Sequence, residues 1–536
     1  MISKLNFSDS TKKAVLFLMI ATIILFFGNN LVSLWDQDEA AYAGFAKNML
    51  DSGNWLMPEF MWSEVHRKPP LHFWNITISY KLFGVNEFAV RFPSALFILL
   101  TLVLTYFGTK KIFLDEERLL GMIVLGTSFL VMSLGKVSVT DATLLFFTTL
   151  CAVSTLQVLL HRDKKWIFFF WVGFSMALLT KGPPVILFMG VFAFLLFLFH
   201  PQRKNLFLLH PWFFLPISLM PLFYWGYLCR QSPEGKAFID WMIDWYILKR
   251  VGGSVFGQTG PPGTHLLGFL LFFMPYFMVF PKAVYYGVKD LFNKEKSTGF
   301  LLATWFISGW FIYELTPSKL PAYTIAAHIP LSMLIGRMLL MELPKKGMIY
   351  LHIIINSLLF LALIVAPVYL NFSKAIQWTF GLTGLGFIIA SLFLLRHQSR
   401  SSLVKYLCGL NIVFQGILWC LLLPVGNELK NGSLRVAQFV EQSAPKNAQV
   451  IIANNASHPP SLPFYLKQRF TKVAEEYQEE ELLKRYLEKD NILVLNKAQI
   501  EFLSTRCENL AYTEIKPIFT DRIQQDAYYI VKSAPK

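Results

Sequence analysis

Two groups of carboxylates stand where long apolar runs of the chain end or begin. Asp36, Asp38 and Glu39 directly follow the first apolar run, and Asp141 comes just before a later one. Carboxylates in such places orient the hydroxyl or amino groups of a sugar, act as a general base, or bind a metal cation. Either acid taken alone is also typical of a helix N-cap. Two of them on the same membrane face, both beside cationic loops, favour a catalytic pair made of Asp38 and Asp141.

The cationic motif that stands out is Arg67-Lys68-Pro69-Pro70. Because prolines fix the backbone, they hold Lys68 at the start of a helix. A lysine there either binds a lipid phosphate or is only an anchor at the membrane boundary. We expect a phosphate site at Lys68, and further cations at helix ends join it as candidates: Arg67, Arg91, Lys136, Lys181 and Lys319.

Other kinds of site find little support in the sequence. The histidines His66, His72, His265 and His328 lack metal-ligand spacing and are interpreted as polar or packing groups. No GxGxxG or Walker pattern occurs, so we expect neither a nucleotide sugar nor ATP as direct donor. The sequence predicts no certain cofactor; a divalent metal is not required for the chemistry proposed below, and whether one binds stays open.

The composition is that of an integral membrane protein. Of the 536 residues 54% are hydrophobic and only 15% are charged, whereas soluble domains carry about 25% charge. The net charge of +15 comes from basic residues scattered between apolar runs. Basic residues placed in this way follow the positive-inside rule and contact membrane lipids. We therefore do not expect nucleic acid as a partner.

Hydropathy predicts about thirteen transmembrane helices, since each span needs roughly 20 apolar residues. The segment Leu71–Phe83 is apolar but short and carries His72 and Lys81, so we predict an interfacial helix there. The first run should remain as a helix, because no cleavage signal follows it. The predicted spans are residues 14–34, 92–109, 119–135, 142–160, 166–179, 183–199, 209–229, 266–284, 299–315, 322–340, 348–370, 375–395 and 403–423.

The distribution of lysine and arginine predicts the orientation. With 71–83 on the surface, alternate connections collect the basic clusters on one side, which the positive-inside rule assigns to the cytoplasm. The N-terminus is then cytoplasmic, and the loop 35–91 lies on the outer face of the membrane. Isolated charges at outer helix ends, as at Asp141, Lys181 and Lys319, predict an outward-facing cavity with functional charges.

The composition changes near residue 424. We predict a transmembrane catalytic domain over 1–424 and a periplasmic α/β domain over 425–536. Short strands are expected at 450–453, 492–495 and 528–531, and a helix within 475–490.

Several strings, in this order and placement, resemble the ArnT-like lipid A glycosyltransferases, which belong to the protein-O-mannosyltransferase-like group of the GT-C fold. The strings are DQDEAAYA (36–43), RKPPLHFW (67–74), AVRFPSAL (89–96), SVTDATLLFF (138–147), LLTKGPP (178–184), SKLPAYTIAAHIP (318–330) and HPPSLPFYLKQR (458–469).

The resemblance implies an enzyme that moves 4-amino-4-deoxy-L-arabinose, or a related sugar, from undecaprenyl phosphate to a lipid A phosphate. It implies that Asp38 and Asp141 are the essential acidic pair and that Lys68 binds the donor phosphate, helped by Arg67 and Arg91. Residues expected at the cavity and substrate are Glu39, Tyr42, Lys136, Lys181, Lys319 and Tyr323. Many ArnT sequences have an arginine after the acidic pair, where this chain has Ala40-Ala41, and an acid where it has Arg67.

A lipid A phosphate is anionic at neutral pH and needs no general base, so we expect a single inverting displacement driven by positioning and by cations. A protein hydroxyl as acceptor would need a base, with Asp38 as the candidate. A related transferase acting on protein or another envelope glycan is therefore the alternative. A transporter or flippase for a lipid-linked sugar is the third hypothesis, although no internal repeat supports it.

Overall fold

Long helices make up most of the chain. The computed structural model describes residues 9–35, 38–60, 67–249, 259–293, 297–342, 344–397, 399–429, 432–444, 448–452, 461–466, 470–472, 478–488, 490–507, 510–515 and 528–533. These residues group into two compact units. Residues 1–29, 68–75 and 91–422 form the helical unit, and residues 30–67, 76–90 and 423–536 form the mixed unit, each within the described ranges.

The helices, in chain order, begin and end as follows. They are α1 (Asp9–Phe26), α2 (Asp38–Ser52), α3 (Leu71–Phe83), α4 (Glu87–Val103), α5 (Asp115–Gly126), α6 (Phe129–Lys136), α7 (Thr140–His161), α8 (Lys165–Lys181), α9 (Pro183–Phe199), α10 (Pro211–Cys229), α11 (Pro233–Ile243), α12 (Thr264–Phe272), α13 (Phe280–Leu291), α14 (Thr298–Leu315), α15 (His328–Met341), α16 (Lys346–Tyr369), α17 (Lys374–Leu392), α18 (Arg400–Ile417), α19 (Gly432–Ser443), α20 (Ser461–Tyr465), α21 (Gln478–Leu487) and α22 (Lys497–Arg506).

Several of these helices have the length and composition to cross a membrane. Among the described residues seven do so, and eight if the pair α5 and α6, bent by 60°, counts as one span. They are Glu87–Gly108, Thr140–His161, Pro211–Cys229, Pro321–Met341, Lys346–Tyr369, Lys374–Arg396 and Arg400–Gly426. The prediction of a polytopic helical membrane protein is confirmed, while fewer helices than thirteen meet this criterion.

The other predicted spans correspond to shorter, interrupted or more polar helices. The run predicted at 266–284 breaks after α12 into a short 3₁₀ turn, Met274–Tyr276, before α13 begins. Pro281 lies in the first turn of α13, where its missing N–H is not needed, so the sequence favours a new helix start there. Because hydropathy is averaged over a window of residues, it does not detect such a break and predicts one continuous span.

Burial separates the central helices of the helical unit from its periphery. In α7, 89% of the apolar window is buried within the protein, against 17% in α10 and 22% in both α16 and α17. α7 is therefore a central helix whose ends are held by neighbours on several sides. Asp141 is the second residue of α7, so a rigid helix carries this carboxylate.

The mixed unit contains a five-stranded sheet in the order β2-β1-β3-β5-β4. Its strands are β1 (Gln449–Ile452), β2 (Phe470–Lys472), β3 (Asn491–Leu495), β4 (Tyr512–Ile515) and β5 (Tyr528–Lys532). β1 pairs in parallel with β2 and β3, while β5 is antiparallel to both β3 and β4. All five residues of β3 are buried, as expected for a central strand with both faces covered.

Helices cover both faces of this sheet. Alternate residues of the strands pack on one face with Val436 and Val440 of α19, and on the other with Leu482 of α21 and Leu503 of α22. The three strands and the helix predicted here are present, within a residue or so at most ends. β2 and β4 were not predicted, because their three or four residues carry no alternating apolar pattern.

The C-terminal part of the mixed unit starts at residue 423, next to the boundary predicted near residue 424, and it groups with residues of the first loop. Residues 30–67 and 76–90 belong to the mixed unit and not to the transmembrane part. Two hydrogen bonds show why: the Ser33 N–H donates to Asn427 Oδ1 at 2.8 Å, and the Leu34 N–H donates to Tyr465 Oη at 2.8 Å. Tyr465 lies in the string HPPSLPFYLKQR, of which residues 458–460 and 467–469 lie outside the described residues.

Candidate active site

A cavity of the helical unit lies where α7, α9 and α14 meet the 3₁₀ segment Pro321–Ala327. Its volume is about 550 Å³, and most of its wall is apolar. Its polar lining side chains are Thr148, Lys181, Tyr246, Tyr313, Thr316, Ser318 and Tyr323. A long apolar ligand with one polar end matches such a wall.

An ion pair joins the cavity wall to α7. Lys181 is the last residue of α8, and its Nζ lies 2.6 Å from Oδ1 of Asp141, in the first turn of α7. The side chains are 15% and 13% exposed, so both are within reach of a ligand. Each charge also complements the dipole of its own helix, since an acid is favoured at the N-terminus and a lysine at the C-terminus.

The turn after Lys181 depends on a glycine. Gly182 has φ +73°, in the left-handed region that favours glycine, and Pro183 begins α9 directly afterwards. The sequence Lys181-Gly182-Pro183 therefore ends one helix and starts the next without a loop. This fixes Lys181 at the end of α8, where it reaches the cavity.

Aromatic rings connect the other predicted residues to the same cavity. Nζ of Lys68 lies 5.9 Å from the ring centre of Tyr246, which is within the range of a cation–π contact. Tyr323 lies beside Tyr313, with ring centres 5.7 Å apart. The structure thus brings Lys68, Lys181 and Tyr323, predicted from separate strings, to one cavity or its lining residues.

Two lining tyrosines, Tyr246 and Tyr313, were not singled out from the sequence. Tyr246 lies in a π-helical turn, Asp244–Leu248, and such turns occur frequently at functional sites. The signal that was available is the density of aromatic residues around Trp241 and Trp245. Tyr313 carries no local signal, because it reads as one more aromatic residue of the apolar helix α14.

His72 holds both flanks of Asp141. Its Nδ1 lies 3.3 Å from Oγ1 of Thr143, and its Nε2 lies 3.3 Å from Oγ of Ser138. The ring is fully buried, and burial together with the nearby Lys68 lowers the pKa of His72 to about 3. The imidazole is therefore neutral at neutral pH and serves as a packed hydrogen-bonding group, which agrees with its interpretation from the sequence.

Two predicted cations bind backbone carbonyls. Lys136 donates from Nζ to the carbonyl oxygens of Ile24, at 3.0 Å, and Phe27, at 2.7 Å. Arg91 is buried and donates from Nη1 to the carbonyl oxygen of Asn29 at 2.7 Å. Both contacts satisfy carbonyl groups at and just beyond the end of α1, so the structure gives these residues a structural contact and does not place them in the cavity lining.

Lys319 is also tied to the backbone. Its Nζ donates to the carbonyl oxygens of Tyr313, at 3.1 Å, and Glu314, at 2.5 Å, and lies 3.7 Å from the Glu314 carboxylate. That carboxylate accepts hydrogen bonds from Trp310 Nε1 and from backbone N–H groups at the start of α12. Lys319 is thus part of a buried cluster that joins α14 to α12.

Four predicted residues, Asp38, Glu39, Tyr42 and Arg67, belong to the mixed unit. Asp38 is the first residue of α2, and its Oδ1 accepts a hydrogen bond from Tyr42 Oη at 3.0 Å. Glu39 is fully buried, and its Oε2 accepts a hydrogen bond from the Trp35 N–H at 2.8 Å, which ties the residues before α2 to its first turn. Arg67 is half-buried.

Two residues named in the sequence analysis have no described position. Asp36 and His66 are outside the described residues. Among the residues that are described, no group of three or more His, Cys, Asp or Glu side chains lies close enough to hold a metal ion.

Known proteins resemble this chain in sequence and in fold. The family model of the dolichyl-phosphate-mannose-protein mannosyltransferases matches residues 67–225, a range that contains Lys68, Asp141 and Lys181. The chain is 28% identical over 380 residues to an uncharacterized protein of Aquifex aeolicus, which covers 68% of this chain and 71% of the relative. It is 26% identical over 343 residues to the undecaprenyl phosphate-α-4-amino-4-deoxy-L-arabinose arabinosyl transferase 2 of Proteus mirabilis, covering 62% of this chain and 60% of the relative.

Among solved structures, the crystal structure of ArnT from Cupriavidus metallidurans bound to undecaprenyl phosphate matches 98% of both chains, with a TM-score of 0.77 and 18% identity. The chain therefore has the GT-C fold of this ArnT, and it resembles the aminoarabinose-transferring relatives in sequence. The expectation that the sequence strings implied is thereby confirmed at the level of fold and enzyme class. The match to the Proteus mirabilis enzyme spans less than two thirds of that relative's length.

Proposed function

We propose that this ArnT-like enzyme transfers 4-amino-4-deoxy-L-arabinose, or a related sugar, from undecaprenyl phosphate to a phosphate of lipid A. The observation that carries the proposal is the apolar cavity of about 550 Å³ with Lys181 in its wall and Lys68 against its lining residue Tyr246. Names of relatives support the donor and the sugar. The basic connections support a place in the bacterial inner membrane with a cytoplasmic N-terminus and a periplasmic mixed unit.

The cavity suits the donor lipid. Its apolar wall accepts the part of the polyprenyl chain next to the phosphate, while the rest of the chain lies in the bilayer. Lys68 and Lys181 then bind the phosphate, and Tyr323 contacts the same end of the lipid. Arg67 and Arg91 are further proposed partners of this phosphate, although Arg91 already bonds a backbone carbonyl.

The chemistry is a single displacement. An oxygen of the lipid A phosphate attacks the anomeric carbon, the bond from that carbon to undecaprenyl phosphate breaks, and the sugar is transferred with inversion. Because the acceptor is already an anion, no proton has to be removed, and catalysis consists of positioning and stabilising the departing phosphate. Lys68 and Lys181 supply positive charge for the leaving group.

The acidic residues have a different role. We assign Asp38 and Asp141 to orienting the sugar, including its amino group, because neither needs to act as base toward a phosphate acceptor. Asp141 additionally holds Lys181 through the 2.6 Å ion pair. Glu39, Tyr42, Lys136 and Lys319 are proposed to support the substrate region mainly by maintaining local structure.

A second acceptor class is favoured by one observation, the match to a family of protein mannosyltransferases. With a serine or threonine hydroxyl as acceptor, a base has to take the proton, and Asp38 is the proposed base. The same donor site would serve both reactions. The acceptor therefore decides between the two proposals.

Mass spectrometry of lipid A from cells with and without this protein tests the proposal. We expect a phosphate-linked aminopentose that disappears with Asp38→Ala or Asp141→Ala and persists with the control Asp163→Ala, a half-buried aspartate between α7 and α8 that pairs with the exposed Lys111. A different added mass would mean that another sugar is transferred. If lipid A is unmodified, lipid A is rejected as the acceptor, and periplasmic glycoproteins are examined next.

Purified protein separates transfer from transport. Sugar transfer from a synthetic undecaprenyl-phosphate sugar in detergent, without any membrane potential, is expected from an enzyme. A protein that only moves the lipid across a bilayer gives no product under these conditions.

A further inference from the structure

A second cavity lies in the helical unit, away from the residues of the proposed transferase site. It has a volume of about 250 Å³ and is lined mainly by residues of α16, α17 and α18. Two of its lining residues, Leu271 and Leu359, are 55% and 46% exposed. In a membrane-spanning region such exposed leucines face acyl chains, so the cavity opens sideways toward the bilayer.

Three aromatic rings form one wall of this cavity. Phe360 of α16, Phe387 of α17 and Phe414 of α18 contact one another pairwise, with ring centres 5.1 to 5.5 Å apart. Each ring comes from a different helix, so this aromatic triangle fixes the three helices around the cavity. The wall is therefore built and apolar.

Polar side chains face the same space. His352, Ser391 and Asn411 line the cavity and are 1%, 0% and 6% exposed. Within the described part of the chain, His352 Nδ1 and Ser391 Oγ have no hydrogen-bond partner, whereas the Asn411 side chain is hydrogen-bonded to Tyr276. Buried polar atoms without partners are costly, and most of all in a bilayer, where water does not compensate them.

Both unpartnered atoms can donate a hydrogen bond. The Ser391 hydroxyl has one hydrogen to donate. His352 Nε2 accepts a hydrogen bond from Asn356 Nδ2 at 2.8 Å, which places the imidazole hydrogen on Nδ1. The cavity thus requires a ligand that is rich in acceptors.

The depth of these donors identifies the kind of acceptor. His352 lies six residues after Lys346, the start of α16, which is about 9 Å along a helix. Ser391 lies five residues before Arg396, about 8 Å. The headgroup layer between the phosphates and the hydrocarbon is about 5–8 Å thick on each side of a bilayer. Basic residues at phosphate level therefore place the donors near the depth of the glycerol esters.

We propose that this cavity binds a glycerophospholipid of the surrounding bilayer. The two ester carbonyls accept hydrogen bonds from Ser391 and His352, and one acyl chain lies on the aromatic triangle. Among the described residues no Asp, Glu, Lys or Arg side chain lines the cavity, so its contacts select the neutral ester region and not the phosphate. The ligand stabilises the packing of α16, α17 and α18.

Native mass spectrometry of the full-length protein in detergent tests the proposal with diacyl phosphatidylethanolamine and its dialkyl ether analogue. The ether lacks both carbonyl acceptors, and losing two hydrogen bonds weakens binding by about tenfold or more. Equal affinity for the two lipids, or no lipid adduct on the wild-type protein, overturns the proposal. An adduct with the mass of a polyprenyl phosphate belongs to the transferase site and is distinguished by that mass.

A matched pair of variants locates the adduct. Ser391→Leu fills the cavity, whereas Gly386→Leu on the same helix adds the same side chain where it meets open space. We expect Ser391→Leu to lose the diester preference and Gly386→Leu to keep it. Loss in both variants, or in neither, contradicts the assignment to this cavity. If Ser391→Leu does not fold, the comparison of diester with diether lipid on the wild-type protein still decides.

Discussion

Two lysine–carboxylate pairs of the helical unit, both drawn from isolated charges at helix ends, have opposite surroundings. In the pair Lys181–Asp141, the atoms are 2.6 Å apart and both side chains are more than one-tenth exposed at a cavity. In the pair Lys319–Glu314, the atoms are 3.7 Å apart and the side chains are 3% and 6% exposed. The two lysines cannot be told apart from the sequence, because each stands near a proline at the end of an apolar run.

The number of hydrogen-bond partners explains the difference. Lys319 also binds two backbone carbonyls, and Glu314 accepts hydrogen bonds from three backbone N–H groups and a tryptophan. Lys181 has a single salt-bridge partner within the described residues. A charge whose bonding capacity is filled by the backbone stabilises the fold, whereas one with a single partner at a cavity retains capacity for a substrate phosphate.

The largest effect is expected where a buried charge loses its partner. Lys319→Met leaves Glu314 buried without its cation, and breaking a buried pair costs about 3–5 kcal/mol of unfolding free energy. Unfolding followed by loss of helical signal during titration with sodium dodecyl sulfate measures this. Lys282→Met, in an exposed pair with Glu342, is the control and should change stability little. A stable Lys319→Met protein that has lost transfer activity would instead assign Lys319 to the substrate.

The next effect falls on activity and not on stability. Lys181→Met removes positive charge facing the departing phosphate, and loss of one such group lowers kcat by about 10²–10³-fold. The measurement is single-turnover sugar transfer by purified protein, with unfolding measured alongside. Lys111→Met is the matched control, because Lys111 pairs with Asp163 on an exposed surface. A Lys181→Met protein as active as the control would remove Lys181 from the site.

His72 lies between these two extremes, since it is buried but holds the flanks of Asp141. The unfolded histidine has a pKa near 6.5 and the folded one about 3. Between these values the unfolded chain binds a proton that the folded chain does not, so stability falls as pH decreases from about 6.5 toward 3 and is complete above 6.5.

Thermal unfolding as a function of pH therefore measures the contribution of His72. His72→Gln removes the titration, and we expect a flatter dependence of Tm on pH in this window together with a loss of about 1–3 kcal/mol from imperfect hydrogen bonding. His161→Gln replaces an exposed histidine and should leave the slope unchanged. Parallel slopes for the wild type and His72→Gln would show that the imidazole is not kept neutral.

The sequence predicted those features that depend on patterns along the chain. Apolar runs predicted the helices, the shift in composition predicted the start of the C-terminal sheet region, and the string around Lys68 predicted a helix start after Pro70. It did not predict that α2 groups with the sheet, because this depends on contacts of Ser33 and Leu34 with residues almost four hundred positions away. Nor did it identify Tyr246 and Tyr313, since their position at the cavity follows from packing between distant segments.

The smallest effect sharpens the comparison at the cavity itself. Tyr246 faces Lys68 through its ring at 5.9 Å and contributes to the cavity wall. A cation–π contact at a partly exposed site contributes about 0.5–1 kcal/mol, so Tyr246→Leu should raise KM for the lipid donor by a few fold and leave kcat nearly unchanged. Tyr246→Phe keeps the aromatic face and should behave as the wild type in steady-state transfer assays. Equal losses of donor affinity in both variants would show that the hydroxyl of Tyr246 matters and not its ring. Tyr246 would then form a direct hydrogen bond to the substrate, and its role would be closer to that of Lys181 than to that of Lys68.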